Sequence, residues 1–196
     1  MINAPNSKNL PNRRSIRYEG YDYASAGVYF VTLVTHQREH LFGRIENGVM
    51  HLNKFGSIVR EEWFKSAILR PNIELDEDGF VVMPNHIHGI IWITAPINEI
   101  AADSHGTGDL QVARTRPTNV SRPKGPTSNS VGSIIGGFKA ASTKRINTVR
   151  GTFYQPIWLR NFYEHIIETE KEYNNIANYI LDNPKNWGMN DEYFSD

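Results

Sequence analysis

Gly79-Phe80-Val81-Val82-Met83-Pro84-Asn85-His86-Ile87-His88-Gly89-Ile90-Ile91-Trp92-Ile93-Thr94 is the stretch whose reading decides the fold. The runs at 73–82 and 86–94 are rich in β-branched and aromatic residues and read as two strands. Met83-Pro84-Asn85 breaks them, because proline lacks a ladder donor and restricts the residue before it. Strands this close in sequence pair antiparallel.

The neighbouring segments complete the pattern. Residues 28–36, Val-Tyr-Phe-Val-Thr-Leu-Val-Thr-His, read as a buried strand. Residues 41–52 form two short runs around Glu46-Asn47-Gly48, and Asn-Gly between apolar runs is a hairpin signal. Over 53–69, Phe55, Ile58, Val59, Trp63, Ile68 and Leu69 lie on one helical face, and Pro71 stops the helix. Downstream, 130–148 reads as a helix weakened at Gly136-Gly137, and 157–167 as a strand. Residues 169–183 read as a third helix, with Thr169 as N-cap, Tyr173, Ile176, Tyr179 and Ile180 on its apolar side, and Pro184 after it. Helices alternating with antiparallel strands predict an α+β fold. A ferredoxin-like split β-α-β sheet with helices packed on one face is the natural candidate.

The 196 residues suit a single domain, and 39% hydrophobic content is enough for one core. Residues 1–20 read as an irregular arm. Residues 95–129 are rich in Pro, Gly, Ser and Thr and read as a long flexible insertion. There is no cysteine, which excludes disulfides, thiolate zinc sites, iron–sulfur clusters and a cysteine nucleophile. No apolar run approaches the roughly 20 residues of a membrane span. The polar, basic stretch Met1 to Arg17 is no secretory signal. A cytoplasmic protein without a membrane partner is expected.

A net charge of zero hides a segregation. Lys and Arg total 21, as do Asp and Glu, yet no acid occurs from Leu110 to Tyr163. That window holds Arg114, Arg116, Arg122, Lys124, Lys139, Lys144, Arg145, Arg150 and Arg160. The first 18 residues add Lys8, Arg13, Arg14 and Arg17, again without an acid. Clustered cations of this kind attract phosphates and release counterions, which points to a polyanion partner as readily as to a solvated surface.

Within the second of the two strands, His86 and His88 lie at i and i+2, so both imidazoles point to one face, about 7 Å apart along the chain. That spacing is a workable bite for one metal ion, and it equally describes two solvated histidines partly exposed on a sheet face. Tyr179 and Asn183 stand one turn apart on the third helix, so a phenol and an amide project together. By spacing alone the plainer reading prevails, a core-edge ring and a helix-ending residue before Pro184.

The segment Met83-Pro84-Asn85-His86-Ile87-His88 resembles the HUH motif of single-tyrosine transposases: two histidines around a hydrophobic residue. Trp158-Leu159-Arg160-Asn161-Phe162-Tyr163-Glu164-His165-Ile166-Ile167 is similar to a block of the REP-associated tyrosine transposase branch. So are Tyr179-Ile180-Leu181-Asp182-Asn183-Pro184, with Trp187 after it, and the opening from Arg13-Arg14 through Gly27-Val28-Tyr29-Phe30-Val31-Thr32. The blocks occur in the family's order from about Arg13 to Trp187, and the insertion is the main departure.

The resemblance implies a ferredoxin-like fold and a role for each matched residue. His86, His88 and Asn183 would be metal ligands and Tyr179 the nucleophile. Without thiolates the ligand set suits Mg²⁺ or Mn²⁺, and the imidazoles favour Mn²⁺. A phenol with a pKa near 10 needs activation before it attacks phosphorus. The implied reaction is metal-dependent single-strand cleavage and strand transfer through a 5′-phosphotyrosine, on single-stranded or hairpin-forming repeat DNA, with a monomer favoured over a homodimer. Arg13, Arg14, Arg114, Arg116, Arg122, Lys124, Lys139, Lys144 and Arg145 are the candidate DNA contacts. Two alternatives stand beside it. One is a non-catalytic module gripping single-stranded nucleic acid through its basic segments and Tyr29, Phe30, Phe162 and Tyr163. The other is a metal-dependent hydrolase of a small phosphoester.

Overall fold

The computed structural model describes residues 25–94 and 129–188. The expected arm and nearly all of the insertion lie outside these residues, together with Arg13, Arg14, Arg114, Arg116, Arg122 and Lys124.

The chain runs β1 (Gly27–Val34), β2 (Gly43–Glu46), β3 (Val49–Leu52), α1 (Lys54–Ile68), β4 (Ile73–Glu74), β5 (Phe80–Val82), β6 (His86–Ile93), α2 (Val131–Arg150), β7 (Tyr163–Ile167) and α3 (Glu170–Asp182). Strands β4, β6, β1 and β7 stand in that order in a five-stranded sheet, with β5 also paired to β6. All pairings are antiparallel. Taking β4 and β5 as one interrupted strand, this is the ferredoxin-like split β-α-β order, and the expected fold class is borne out. The β2–β3 hairpin stands apart as a two-stranded sheet. Its turn is Asn47-Gly48, both at positive φ (52° and 74°), as a tight two-residue hairpin requires.

Local chemistry sets the helix ends. The Asn53 side chain accepts from the N–H groups of Phe55 and Gly56 at 2.8 and 3.0 Å, opening α1. The Thr169 hydroxyl accepts from Glu172 N–H at 3.2 Å and opens α3 as expected. Ser130 caps α2, which continues unbroken through Gly136-Gly137 and ends at Gly151 in the left-handed region (φ 68°).

The two sheet faces differ. Tyr29, Val31 and Leu33 of β1 and Ile87 and Ile91 of β6 pack with Trp63 of α1 and Phe138 of α2 in the main core. A second, smaller core joins Phe30, Ile90 and Ile167 to Ile180, with Tyr173, Ile176 and Ala177 of α3 against it. So α1 and α2 share one face as expected, while α3 crosses the other. Gly89 of β6 allows the main core to close, since a Cβ there would strike the Trp63 ring.

Two strand expectations were too long. The run at 73–82 breaks because Asp76 Oδ1 accepts from Asp78 N–H at 3.3 Å and Phe80 N–H donates to the Glu77 carbonyl at 3.2 Å. These bonds turn the chain out of the ladder. The run at 157–167 keeps a single bridge, Thr35 to Trp158, before β7 begins at Tyr163. Lys139 Nζ donates to the carbonyls of Leu159, Arg160 and Asn161 at 2.8, 3.3 and 3.2 Å, so those groups serve an ammonium rather than a neighbouring strand.

Candidate active site

The central strand β6 carries His86 and His88 on the face under α3. Antiparallel register sets His88 opposite Thr32 and His86 opposite Val34. The Thr32 hydroxyl bonds His88 Nδ1 at 2.8 Å, and Asn85 Oδ1 bonds His86 Nδ1 at 2.6 Å. With each Nδ1 engaged, the Nε2 atoms turn to each other, 3.1 Å apart. Both rings are buried, at 6% and 1% exposure, against the expectation of partial exposure. The strand's alternation assigns the face but not its cover, which α3 provides.

From α3, the Tyr179 hydroxyl lies 3.3 Å from His88 Nε2. Its ring stands edge-on to Phe30 at 6.3 Å and to His88 at 5.2 Å, while 39% of the residue stays exposed. Asn183, one turn later, is buried at 7% and hydrogen-bonds His86. Four residues from β6 and α3 of one chain thus meet at a point open to solvent beside Tyr179.

Burial lowers His86 to about 4, the Arg38 cation adds to this, and the Asn183 hydrogen bond opposes it. Burial, and then His86, hold His88 well below the usual imidazole range. Both rings are therefore neutral near pH 7, the form in which imidazole binds a metal.

The residues fit a divalent ion. Two ligands about 2.1 Å from one ion sit about 3.0 Å apart at a right angle and about 3.4 Å apart at the tetrahedral angle. The Nε2 separation of 3.1 Å falls between these values. Among the described residues no group of three or more His, Cys, Asp or Glu gathers. A third protein ligand would accordingly be the Asn183 amide, an oxygen donor suited to Mg²⁺ or Mn²⁺.

Other members of the neighbourhood were not singled out by spacing. Thr32 and Asn85 orient the rings, a role no linear motif announces. Arg38 reaches His86 from a tight turn in which it and Gln37 both have positive φ, 56° and 55°. Trp187 stacks on His86 at 6.0 Å and meets His40 at 5.5 Å.

The remaining candidates lie elsewhere. Tyr173 packs on Trp92 at 5.4 Å, away from the histidines. His165 pairs with Glu172 at 2.6 Å. Of the rings offered for a binding module, Tyr29 is 0% and Phe30 8% exposed, so neither can stack a base, whereas Tyr163 is 43% exposed. Lys139, Lys144 and Arg145 are on α2, which packs on the opposite sheet face. Arg145 is engaged by Glu61 and Glu62 at 2.7 and 2.8 Å, Lys139 by backbone carbonyls, and Lys144 is exposed. No helix among the described residues is long and apolar enough to cross a membrane.

No family model matches the chain. It is 40% identical over 184 residues to an uncharacterized protein of Haemophilus influenzae, covering 94% of each chain. Its fold is similar to the structure of a REP-associated tyrosine transposase bound to a REP hairpin, with a TM-score of 0.54 and 22% identity, over 88% of this chain and 74% of that one. A crystal structure of a putative transposase from Deinococcus radiodurans aligns over 85% of this chain and 95% of that one, at a TM-score of 0.43 and 14% identity. The chain belongs to one family with the Haemophilus influenzae protein, and it shares its fold with the structure of the REP-associated tyrosine transposase.

Proposed function

We propose that the chain is a DNA-nicking and rejoining enzyme of the transposase type, with Tyr179 as nucleophile. The observation that carries this reading is the Tyr179 hydroxyl, 3.3 Å from one of two facing, buried imidazole nitrogens. The imidazole pair is buried and neutral, and a partly exposed phenol at its mouth can meet a substrate. The same placement disfavours a hydrolase of small phosphoesters, which has no use for a tyrosine there.

His86, His88 and Asn183 would hold the ion. Bound there, a divalent ion would stabilise negative charge on the scissile phosphate. The protein's own part is positioning. Phe30 and His88 fix the Tyr179 ring, Thr32 and Asn85 fix the imidazoles, and Arg38 adds positive charge near the phosphate. The Tyr179 oxygen attacks phosphorus and loses its proton, the P–O3′ bond breaks, and the 3′ oxygen leaves as a hydroxyl. One phosphodiester is exchanged for another, so a later 3′-OH can reverse the step without ATP. Because a protein of similar fold is bound to a REP hairpin, we propose hairpin-forming repeat DNA as the substrate.

The test is a denaturing gel with labelled single-stranded DNA from repeats flanking the gene, with Mn²⁺ or Mg²⁺. A covalent adduct that peptide mapping assigns to Tyr179 is expected. An adduct on Tyr163 or Tyr173, or none with any such DNA, would overturn the assignment.

A further inference from the structure

Away from the histidines, a groove of about 780 Å³ lies between the second half of α2 and the segment 151–160. Phe153 and Tyr154 at its rim are 87% and 98% exposed, and Leu159 is 39% exposed. Tyr154 has φ 62°, a conformation that bulky side chains rarely adopt, and it presents the ring outward. Two exposed rings on adjacent residues offer apolar surface for a contact.

The charge of the groove identifies the occupant. No acidic residue lines it. Lys144 and Arg160 line it, both exposed and in no ion pair among the described residues. Lys139 also borders it, but its ammonium is spent on the carbonyls of 159–161. An apolar peptide would have no use for these cations, and a simple polyanion would have none for the rings. Unpaired nucleotides use both: bases stack on aromatic faces and phosphates meet Lys and Arg.

The groove is joined to the site along the chain. Its wall, 156–160, runs on through Asn161 and Phe162 to Tyr163, which pairs in register with Thr32, the residue bonded to His88. Two residues, Asn161 and Phe162, separate Arg160 from Tyr163, a span of at most about 10 Å. Tyr163 is itself 43% exposed.

We propose that this groove holds single-stranded DNA continuous with the strand cut at Tyr179, with bases on Phe153 and Tyr154 and phosphates at Lys144 and Arg160. The inference rests on the proposed cleavage of single-stranded DNA and extends it to a second contact region.

The experiment uses the full chain and single-stranded oligonucleotides carrying 5-iodouracil at successive positions. After irradiation, cross-links are mapped by peptide sequencing. Cross-links at Phe153 and Tyr154 are expected for bases at a fixed distance from the cleavage point. The doubly substituted F153A/Y154A chain should lose them and bind long oligonucleotides about 5- to 150-fold more weakly per ring. Its melting should match wild type, since both rings are exposed. Replacing Lys144 and Arg160 with Gln should flatten the slope of log K against log salt by about 0.7 per cation. Cross-links confined to Tyr163 and α3, with unchanged affinity in F153A/Y154A, would overturn the groove while leaving the nicking site standing. A change in self-association instead of DNA affinity would assign the groove to a second copy and also overturn it. Absence of any binding or adduct with single-stranded DNA would overturn both readings together.

Discussion

The two faces of the sheet are made by the same strands and serve different ends. Under α1 and α2, Tyr29, Val31, Leu33, Ile87 and Ile91 are fully buried against Trp63 and Phe138. Under α3, the alternate residues are Phe30, Thr32, His86, His88 and Ile90, and the apolar cluster shrinks to Phe30, Ile90, Ile167 and Ile180. Period-two alternation along β1 and β6 thus places stability on one side and polar, hydrogen-bonded chemistry on the other. A residue's face predicts what its loss costs.

The sharpest way to break this comparison is Tyr179→Phe. Cleavage should fall by on the order of 10⁴ or more, since among the described residues no other tyrosine hydroxyl is bonded to the histidines, while melting stays within a few degrees. A folded variant that still forms an adduct would remove Tyr179 from the chemistry.

His88→Ala comes next. Metal-dependent cleavage should be lost. The Thr32 hydroxyl, left buried without its imidazole, should cost about 1–3 kcal/mol in denaturant unfolding. Wild type should gain about 2.7 kcal/mol in Mn²⁺ at 100 times its dissociation constant, and a chelator should reverse this. The same gain in the His86→Ala/His88→Ala chain would place the ion elsewhere.

On the opposite face, Phe138→Ala should cost about 3–5 kcal/mol by opening a cavity beside Trp63 and Trp158, yet leave cleavage per folded molecule near wild type. A large loss of specific activity at full folding would show that the faces are not independent.

A finer probe is Asn183→Ala. It should weaken metal affinity about 10- to 100-fold, with cleavage restored by excess metal, because two imidazoles remain. The smallest effect concerns Lys139, which burial lowers to about 8 from its ordinary 10.5. The folded state then binds fewer protons than the unfolded state between pH 8 and 10.5, so this residue's contribution to stability rises with pH across that window. Relative to Lys139→Met, wild type should gain on the order of 1 kcal/mol per pH unit there and show no further trend below pH 8.

Much of this was legible in the residues. The strand at 28–36, the Asn47-Gly48 turn, the helix at 53–69 and the Thr169 cap each depend on neighbours in sequence, and each appears within a few residues of its expected place. The run at 157–162 could not be read, because it is drawn off the sheet by Lys139, some 20 residues upstream. The site divided the same way. The i, i+2 spacing placed His86 and His88 on one face, and the i, i+4 spacing aligned Tyr179 with Asn183. Nothing local tells that α3 crosses to the histidine face, that the rings are buried, or that Thr32 and Arg38 attend them. The binding-module reading counted Tyr29 and Phe30 as available rings because composition does not distinguish a core ring from an exposed one. Phe153 and Tyr154, the most exposed aromatics among the described residues, drew no notice for the same reason.

The arrangement also fixes when the site comes into being. Histidines on β6 need β1, some 55 residues earlier, to orient His88, and Tyr179 follows His88 by 91 residues. At about 5–20 residues per second, those residues take a ribosome roughly 5–18 s to add. Through that interval a growing chain holds the histidine pair with no phenol to attack through it. The chain thus acquires its proposed cutting power only once α3 has been made, after every strand of the sheet.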